Sequence, residues 1–130
     1  MLLRLAIVVL AVAAAYGAMA LWRKPSHKLG RLDLPDLGVD GPAIVQFSTP
    51  FCAPCKAAKP HLIDAAGRAD VSYAQIDLEQ RPDVGERYGI RSVPTIVVAD
   101  RSGQVLGKWT KLPANGEIRK AAELARGANA

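Results

Sequence analysis

The chain has 130 residues, half of them hydrophobic, with two cysteines, 9 prolines and a formal charge of +5. That length allows one domain and excludes a multidomain enzyme. The excess charge is confined to residues 1–31, which carry Arg4, Arg23, Lys24, Lys28 and Arg31 and no acid, while residues 32–130 hold 12 Lys/Arg against 12 Asp/Glu; this distribution argues against a basic nucleic-acid-binding domain.

The N-terminal segment contains 18 uncharged residues from Leu5 to Trp22. As a helix they span about 27 Å, close to the hydrocarbon thickness of a bilayer of roughly 30 Å. Tyr16 and Trp22 are amphipathic rings, and Trp22 sits where an interfacial anchor is expected. Arg4 and the triplet Ala18-Met19-Ala20 fit a cleaved signal peptide, but the apolar run is too long and is followed at once by Arg23-Lys24-Pro25. An uncleaved single-pass anchor over residues 1–22 is the favoured reading, ahead of a cleaved signal. A buried core helix fits poorly, because the segment lacks a polar face. The heavier positive charge follows the span (Arg23, Lys24, Lys28, Arg31, with His27 alongside), which predicts a cytoplasmic domain, with an extracytoplasmic domain as the alternative. Residues 23–38, rich in basic residues, Pro and Gly, read as a solvated basic tether ahead of a domain over 39–130. The basic residues of the tether also suit contact with anionic headgroups.

Within the domain, Ala43-Ile44-Val45-Gln46-Phe47 reads as a buried strand. A helix follows from Ala53 to about Ala66, with Leu62, Ile63, Ala65 and Ala66 as its apolar set. Pro54 falls in its first turn and Pro60 is expected to kink it. Val71 to Leu78 reads as a strand through Val71, Tyr73, Ile76 and Leu78. A short helix over Pro82–Tyr88 is closed by Gly89. Thr95–Ala99 is the strongest strand signal. Asp100-Arg101-Ser102-Gly103 is a hairpin turn, returning as a strand over Gln104–Thr110. A last helix starts at Asn115 or Gly116 and runs to about Arg126, with Ile118, Ala121, Ala122, Leu124 and Ala125 as its stripe. The order β-α-β-α-β-β-α predicts an α/β sandwich with a mixed sheet.

Both cysteines lie three positions apart where a strand passes into a helix. The thiolate is the nucleophile of disulfide exchange, and a helix N-terminus stabilises negative charge on Cys52. Cys55, one turn on, is near enough to attack a mixed disulfide at Cys52.

Here the sequence resembles the thioredoxin family. Phe51-Cys52-Ala53-Pro54-Cys55-Lys56 is similar to its active-site motif with Ala in place of the usual Gly, and Pro60 matches its helix-kinking proline. Tyr88-Gly89-Ile90-Arg91-Ser92-Val93-Pro94-Thr95 looks like its cis-proline segment. The resemblance covers about residues 40–126. It implies a thioredoxin fold, Cys52 as attacking and Cys55 as resolving cysteine, and a substrate face of Phe51, Ala53, Pro54, Val93 and Pro94, with the Val93 backbone pairing with an extended substrate strand. It also implies protein disulfide substrates and an upstream dithiol reductant as partners, with no cofactor. Two positions depart from the family. Gln46 stands where a buried acid is usual and Tyr73 where its lysine partner is usual, so both members of a buried ion pair are replaced together, which is physically coherent. Ser48 stands where a tryptophan is usual.

Other constellations are weaker. Two cysteines with His27 and His61 do not make a zinc site: His27 lies in the tether and His61 is out of phase with Cys52 on its helix. Lys56 and Lys59 read as solvated helix lysines and Trp109 as strand packing. Asp64, Asp77 and Asp83 lack paired-carboxylate spacing. The leading expectation is a membrane-tethered thiol–disulfide oxidoreductase; a non-catalytic adapter of the same fold and a Cu(I)-holding dithiol module are the alternatives.

Overall fold

The structure is a computed structural model describing residues 1–22, 29–114 and 116–128. The Trp22 ring, the charges Arg23, Lys24, His27 and Lys28, and Asn115 as first residue of the last helix lie outside the described residues and side chains. Helix α1 (Leu2–Trp22) is apolar on every face beyond Arg4, exposed from Leu2 to Leu21, and long and apolar enough to cross a membrane. The remaining elements are β1 (Ala43–Ser48), α2 (Ala53–Ala69), β2 (Ser72–Asp77), α3 (Pro82–Arg87), β3 (Thr95–Ala99), β4 (Val105–Trp109) and α4 (Glu117–Gly127).

The four strands form one mixed sheet in the order β2-β1-β3-β4. Strand β2 runs parallel to β1, whereas β3 is antiparallel to both β1 and β4. Strands β1 and β3 occupy the centre and are buried along their whole length, which is why they read as continuous apolar runs. The two-residue period divides their side chains between two cores. Ile44, Ile96 and Val98 meet Ala58, Leu62 and Ala66 of α2 and Ile118, Ala122 and Ala125 of α4. Val45, Phe47 and Val97 face the opposite side, with Ile76, Val84 and Tyr88. The apolar residues expected along β2 are shared out likewise, Val71 and Tyr73 to the first core and Ile76 and Leu78 to the second. Ile63 and Leu124, expected in the helical stripes, are exposed: α2 and α4 present narrower apolar faces, made largely of alanine.

The second core is completed from an unexpected quarter. Residues 29–38, read from the sequence as part of a solvated tether, instead lie against the domain, with Leu32, Leu34 and Leu37 buried and Val39 beside them. The leucine spacing was hidden among Pro, Gly and charged residues, which dominate a compositional reading. Leu32 donates its N–H to the Gly103 carbonyl at 2.7 Å, and the Asp33 N–H donates to the Tyr88 hydroxyl at 2.9 Å. Asp36 accepts from Arg87 at 2.7 Å and from Arg81 at 3.0 Å. These guanidiniums, Arg87 foremost, hold the Asp36 carboxyl below its ordinary range. The segment is therefore docked by apolar burial first and by exposed ion pairs second.

The turn between β3 and β4 receives this segment. Asp100 is buried, and its Oδ1 accepts from the Ser102 hydroxyl and from the amides of Ser102 and Gln104. The Ser102 hydroxyl, then these backbone donors, lower the Asp100 carboxyl below its ordinary value. Gly103 has φ +88°, and a Cβ there would run into the Leu32 carbonyl. Gly103→Ala should therefore cost about 1–3 kcal/mol in denaturant unfolding, from left-handed backbone strain with displacement of the docked segment. Because the folded Asp100 carboxyl is the stronger acid, its contribution is present above about pH 4 and disappears as pH falls through the lowered folded value. Asp100→Asn should flatten that acid limb of the stability–pH curve.

Candidate active site

Cys52 is the N-cap of α2. Its backbone is extended (φ −88°, ψ 101°) and its Sγ accepts the Cys55 N–H at 3.1 Å. A sulfur in this position receives an otherwise orphaned helix donor and lies at the positive end of the helix dipole, so negative charge on Cys52 is favoured. Pro54 sits in the first turn, where its missing N–H leaves no bond unmade. The two cysteines are disulfide-bonded, with Cα atoms 5.2 Å apart. Helix α2 continues as one element through Pro60 to Ala69.

The exposures of the pair differ in the sense the chemistry needs. Cys52 retains 7% and Cys55 only 1% of its surface. Around Cys52, Phe51 is 86% exposed, and Ala53 and Pro54 are exposed as well. Strand pairing brings the last expected pair to the same end of the sheet: Thr95 opens β3 opposite Phe47, so Val93-Pro94 lies beside the end of β1, from which the chain leads to Cys52. The Val93–Pro94 peptide bond is cis, Pro94 is buried and Val93 half-buried. The Thr95 hydroxyl donates to the Ser92 carbonyl at 2.7 Å, tightening the loop.

Behind the dithiol, the two-residue period of β1 turns Gln46 toward α2, on the face shared with Ile44. Gln46 is fully buried; its Nε2 donates to the Cys55 carbonyl at 2.9 Å, and its Oε1 accepts from the Tyr73 hydroxyl at 2.5 Å. Gln46 and Tyr73 are thus joined to each other as a neutral hydrogen-bonded pair. Burial raises the Tyr73 phenol above its ordinary value, which keeps it protonated as a donor. Two residues further along each strand, Gln75 donates from Nε2 to the buried Ser48 hydroxyl at 2.9 Å. A polar side chain inside an otherwise apolar central strand signals that a partner must exist, but not which one.

His61, Lys56 and Lys59 are exposed on α2. Trp109 packs on the α2–α4 side of the sheet and donates from Nε1 to Glu117 at 3.1 Å, a structural placement away from the dithiol. The expectation missed a pocket of about 310 Å³ beside Cys55, lined by Ser48, Thr49, Pro50, Lys56, Gln75 and Asp77. Its sequence signal was the alternation Tyr73-x-Gln75-x-Asp77, three polar tips on one face of β2.

Tyr73→Phe deletes the donor to Gln46 and leaves a buried amide oxygen without its partner. Unfolding in denaturant should show a loss of about 1–3 kcal/mol.

The family model described as Thioredoxin matches residues 36–124, taking in β1, the dithiol, the cis-proline loop and most of α4. Among characterised relatives, chloroplastic thioredoxin M2 of Arabidopsis thaliana is 27% identical over 89 residues, covering 65% of this chain and 48% of the relative. Thioredoxin of Porphyra purpurea is 29% identical over 87 residues, covering 62% of this chain and 80% of the relative. The chain thus spans about half the length of the first of these relatives. Among solved structures, a mutant thioredoxin from Halobacterium salinarum superposes with a TM-score of 0.60 at 24% identity, covering 70% of this chain and 80% of that one. Thioredoxin 1 of Thermosipho africanus gives 0.55 at 22%, covering 62% and 90%. These structures share the fold, and with the family match across the dithiol and the cis-proline loop, the chain belongs to the thioredoxin family.

Proposed function

We propose that this chain is a membrane-tethered thiol–disulfide oxidoreductase that reduces or exchanges disulfides in partner proteins. One observation carries the reading: an exposed-side cysteine caps a helix N-terminus while a buried cysteine one turn on is close enough to bond to it. In the reduced protein, the Cys52 thiolate attacks one sulfur of a partner disulfide and the other partner sulfur leaves with the electron pair. Cys55 then attacks Cys52 Sγ, closing the Cys52–Cys55 bond and releasing the second partner thiolate. An upstream dithiol returns the pair to its reduced form. Phe51, Ala53 and Pro54 offer exposed contact area around the attacking sulfur, and the Val93 backbone, next to Pro94, pairs with an extended partner segment.

The anchor is α1, whose exposed apolar surface is suited to lipid and unsuited to water. The positive charge after it favours a cytoplasmic domain, where such a dithiol works as a reductant. Accessibility of a reporter at Ala130 tests that sidedness.

In the full chain, Cys55→Ser should accumulate dithiothreitol-sensitive mixed disulfides through Cys52, seen as slower-migrating bands on non-reducing gels. Those bands should vanish in the Cys52→Ser/Cys55→Ser variant. Insulin reduction driven by dithiothreitol should be accelerated by the natural chain and fall to background in Cys52→Ser. A natural chain that leaves the insulin rate at background would remove the oxidoreductase reading in favour of an adapter.

A further inference from the structure

The reaction above requires Cys55 to lose a proton before it can close the ring, and the surroundings restrict where that proton can go. Cys55 is 1% exposed. Its nearest buried polar neighbour, Gln46, is an amide that can neither ionise nor accept the proton at ordinary pH, and the Tyr73 phenol behind it is already a committed donor. The route left is the pocket of about 310 Å³ that Cys55 itself lines, large enough for several water molecules.

Asp77 is the one carboxylate lining that pocket. Its place follows from a regular offset between two parallel strands. Tyr73 stands opposite Ile44 yet bonds Gln46, and Gln75 stands opposite Gln46 yet bonds Ser48. Continued once more, the offset takes Asp77, opposite Ser48, to the β1–α2 loop, where it shares the pocket with Thr49, Pro50 and Cys55. Asp77 Oδ1 accepts the Glu79 N–H at 2.8 Å, which fixes the carboxylate at the strand end while it remains half-buried. Among the described residues, the titratable and charged groups tied to Cys55 are Cys52, which is bonded to it, Lys56 and Asp77, which line the same pocket, and Tyr73, which bonds Gln46 behind it. Of these, Lys56 and Asp77 reach the pocket, and Asp77 brings the only carboxylate among them.

We propose that Asp77, acting through solvent in this pocket, is the proton acceptor for Cys55 in the ring-closing step. The step balances as follows. The Cys55 S–H proton passes to the Asp77 carboxylate, the Cys55 sulfur forms a bond to Cys52 Sγ, and the Cys52–partner S–S bond breaks. The partner sulfur leaves as a thiolate with the electron pair, and Asp77 returns its proton to solvent. Lys56, at the same rim, favours the transient thiolate over the thiol by its charge. This inference rests on the oxidoreductase reading.

The test is stopped-flow reaction of the reduced full chain in detergent with 5,5′-dithiobis(2-nitrobenzoate) between pH 5 and 9. The first thionitrobenzoate released reports attack by Cys52, and the second reports ring closure by Cys55. Asp77→Asn, which keeps the acceptor for the Glu79 amide, should slow the second phase relative to the first by about tenfold or more near pH 7. The deficit should shrink toward pH 9, where hydroxide serves, and Asp77→Glu should recover most of the rate. An unchanged ratio of phases across the pH range overturns the role of Asp77, as does a deficit that stays constant to pH 9, which marks a structural effect. A natural chain that releases only one equivalent overturns the oxidoreductase reading itself, and the proton route with it.

Discussion

A single buried amide holds the site in register with the sheet. Gln46 lies in the central strand, is fully buried, and bonds at one end to the carbonyl of Cys55 and at the other to the hydroxyl of Tyr73. It therefore ties the first turn of α2 to both β1 and β2, and the positions of Cys52 and Cys55 follow from that first turn. Neutrality is what makes the arrangement tolerable. A buried charge carries a desolvation cost of several kcal/mol that only a well-placed counter-charge offsets. An amide paired with a phenol and a carbonyl asks much less, about 1 kcal/mol gained per bond, with a penalty only if a partner is removed. Replacing either residue alone by a charged one would undo this balance.

The opposite face of the sheet is closed by the segment that leads in from α1. Leu32, Leu34 and Leu37 bury against Phe47, Val97 and Tyr88, and the Asp33 amide and Asp36 carboxylate bind groups at either end of α3. This docking limits how far the domain can lie from α1. Chain from Trp22 to the packed Leu29 spans at most about 25 Å when fully extended. The domain therefore stays within that reach of the end of α1. The exposed ion pairs of Asp36, Arg81, Asp83 and Arg87 contribute less to this docking than the leucines, since exposed pairs are screened by salt.

Much of this was legible in the residues. Continuous apolar runs at Ala43–Phe47 and Thr95–Ala99 identify strands buried on both faces, and the Cys52–Cys55 spacing at a strand-to-helix passage locates the reactive pair. What was hidden has two physical origins. Leu32, Leu34 and Leu37 sit in a segment without helical or strand period, so neither template detects them; they bury because α3 leaves one side of the sheet open. Ile63 and Leu124 erred the other way: each lies beside a helical stripe, and the small alanines of α2 and α4 let the helices approach closely enough that these larger neighbours fall outside the contact. The pairing of Gln46 with Tyr73 combined both difficulties, because a strand pattern fixes the face of a side chain but not the offset between two strands.

That offset is also what separates the structural part of the polar strip from the chemical part. Tyr73, Gln75 and Asp77 alternate on one face of β2; the first two bond residues two positions further along β1 than their own register partners, and Asp77 lines the pocket at the strand end. The first two terminate on buried neutral groups and can only hold position. Asp77, at the end of the strand, reaches a pocket instead of a protein donor across the sheet, so its carboxylate keeps solvent for its charge and shares space with Cys55. A base there is cheaper to keep ionised than one at Gln46, because partial exposure spares it the desolvation that a fully buried carboxylate suffers. Its proton has a correspondingly short way to bulk water after each turnover. The geometry thus divides two demands that one buried acid would have to meet together: Gln46 supplies rigidity from the dry interior, and Asp77 supplies basicity from the wet rim.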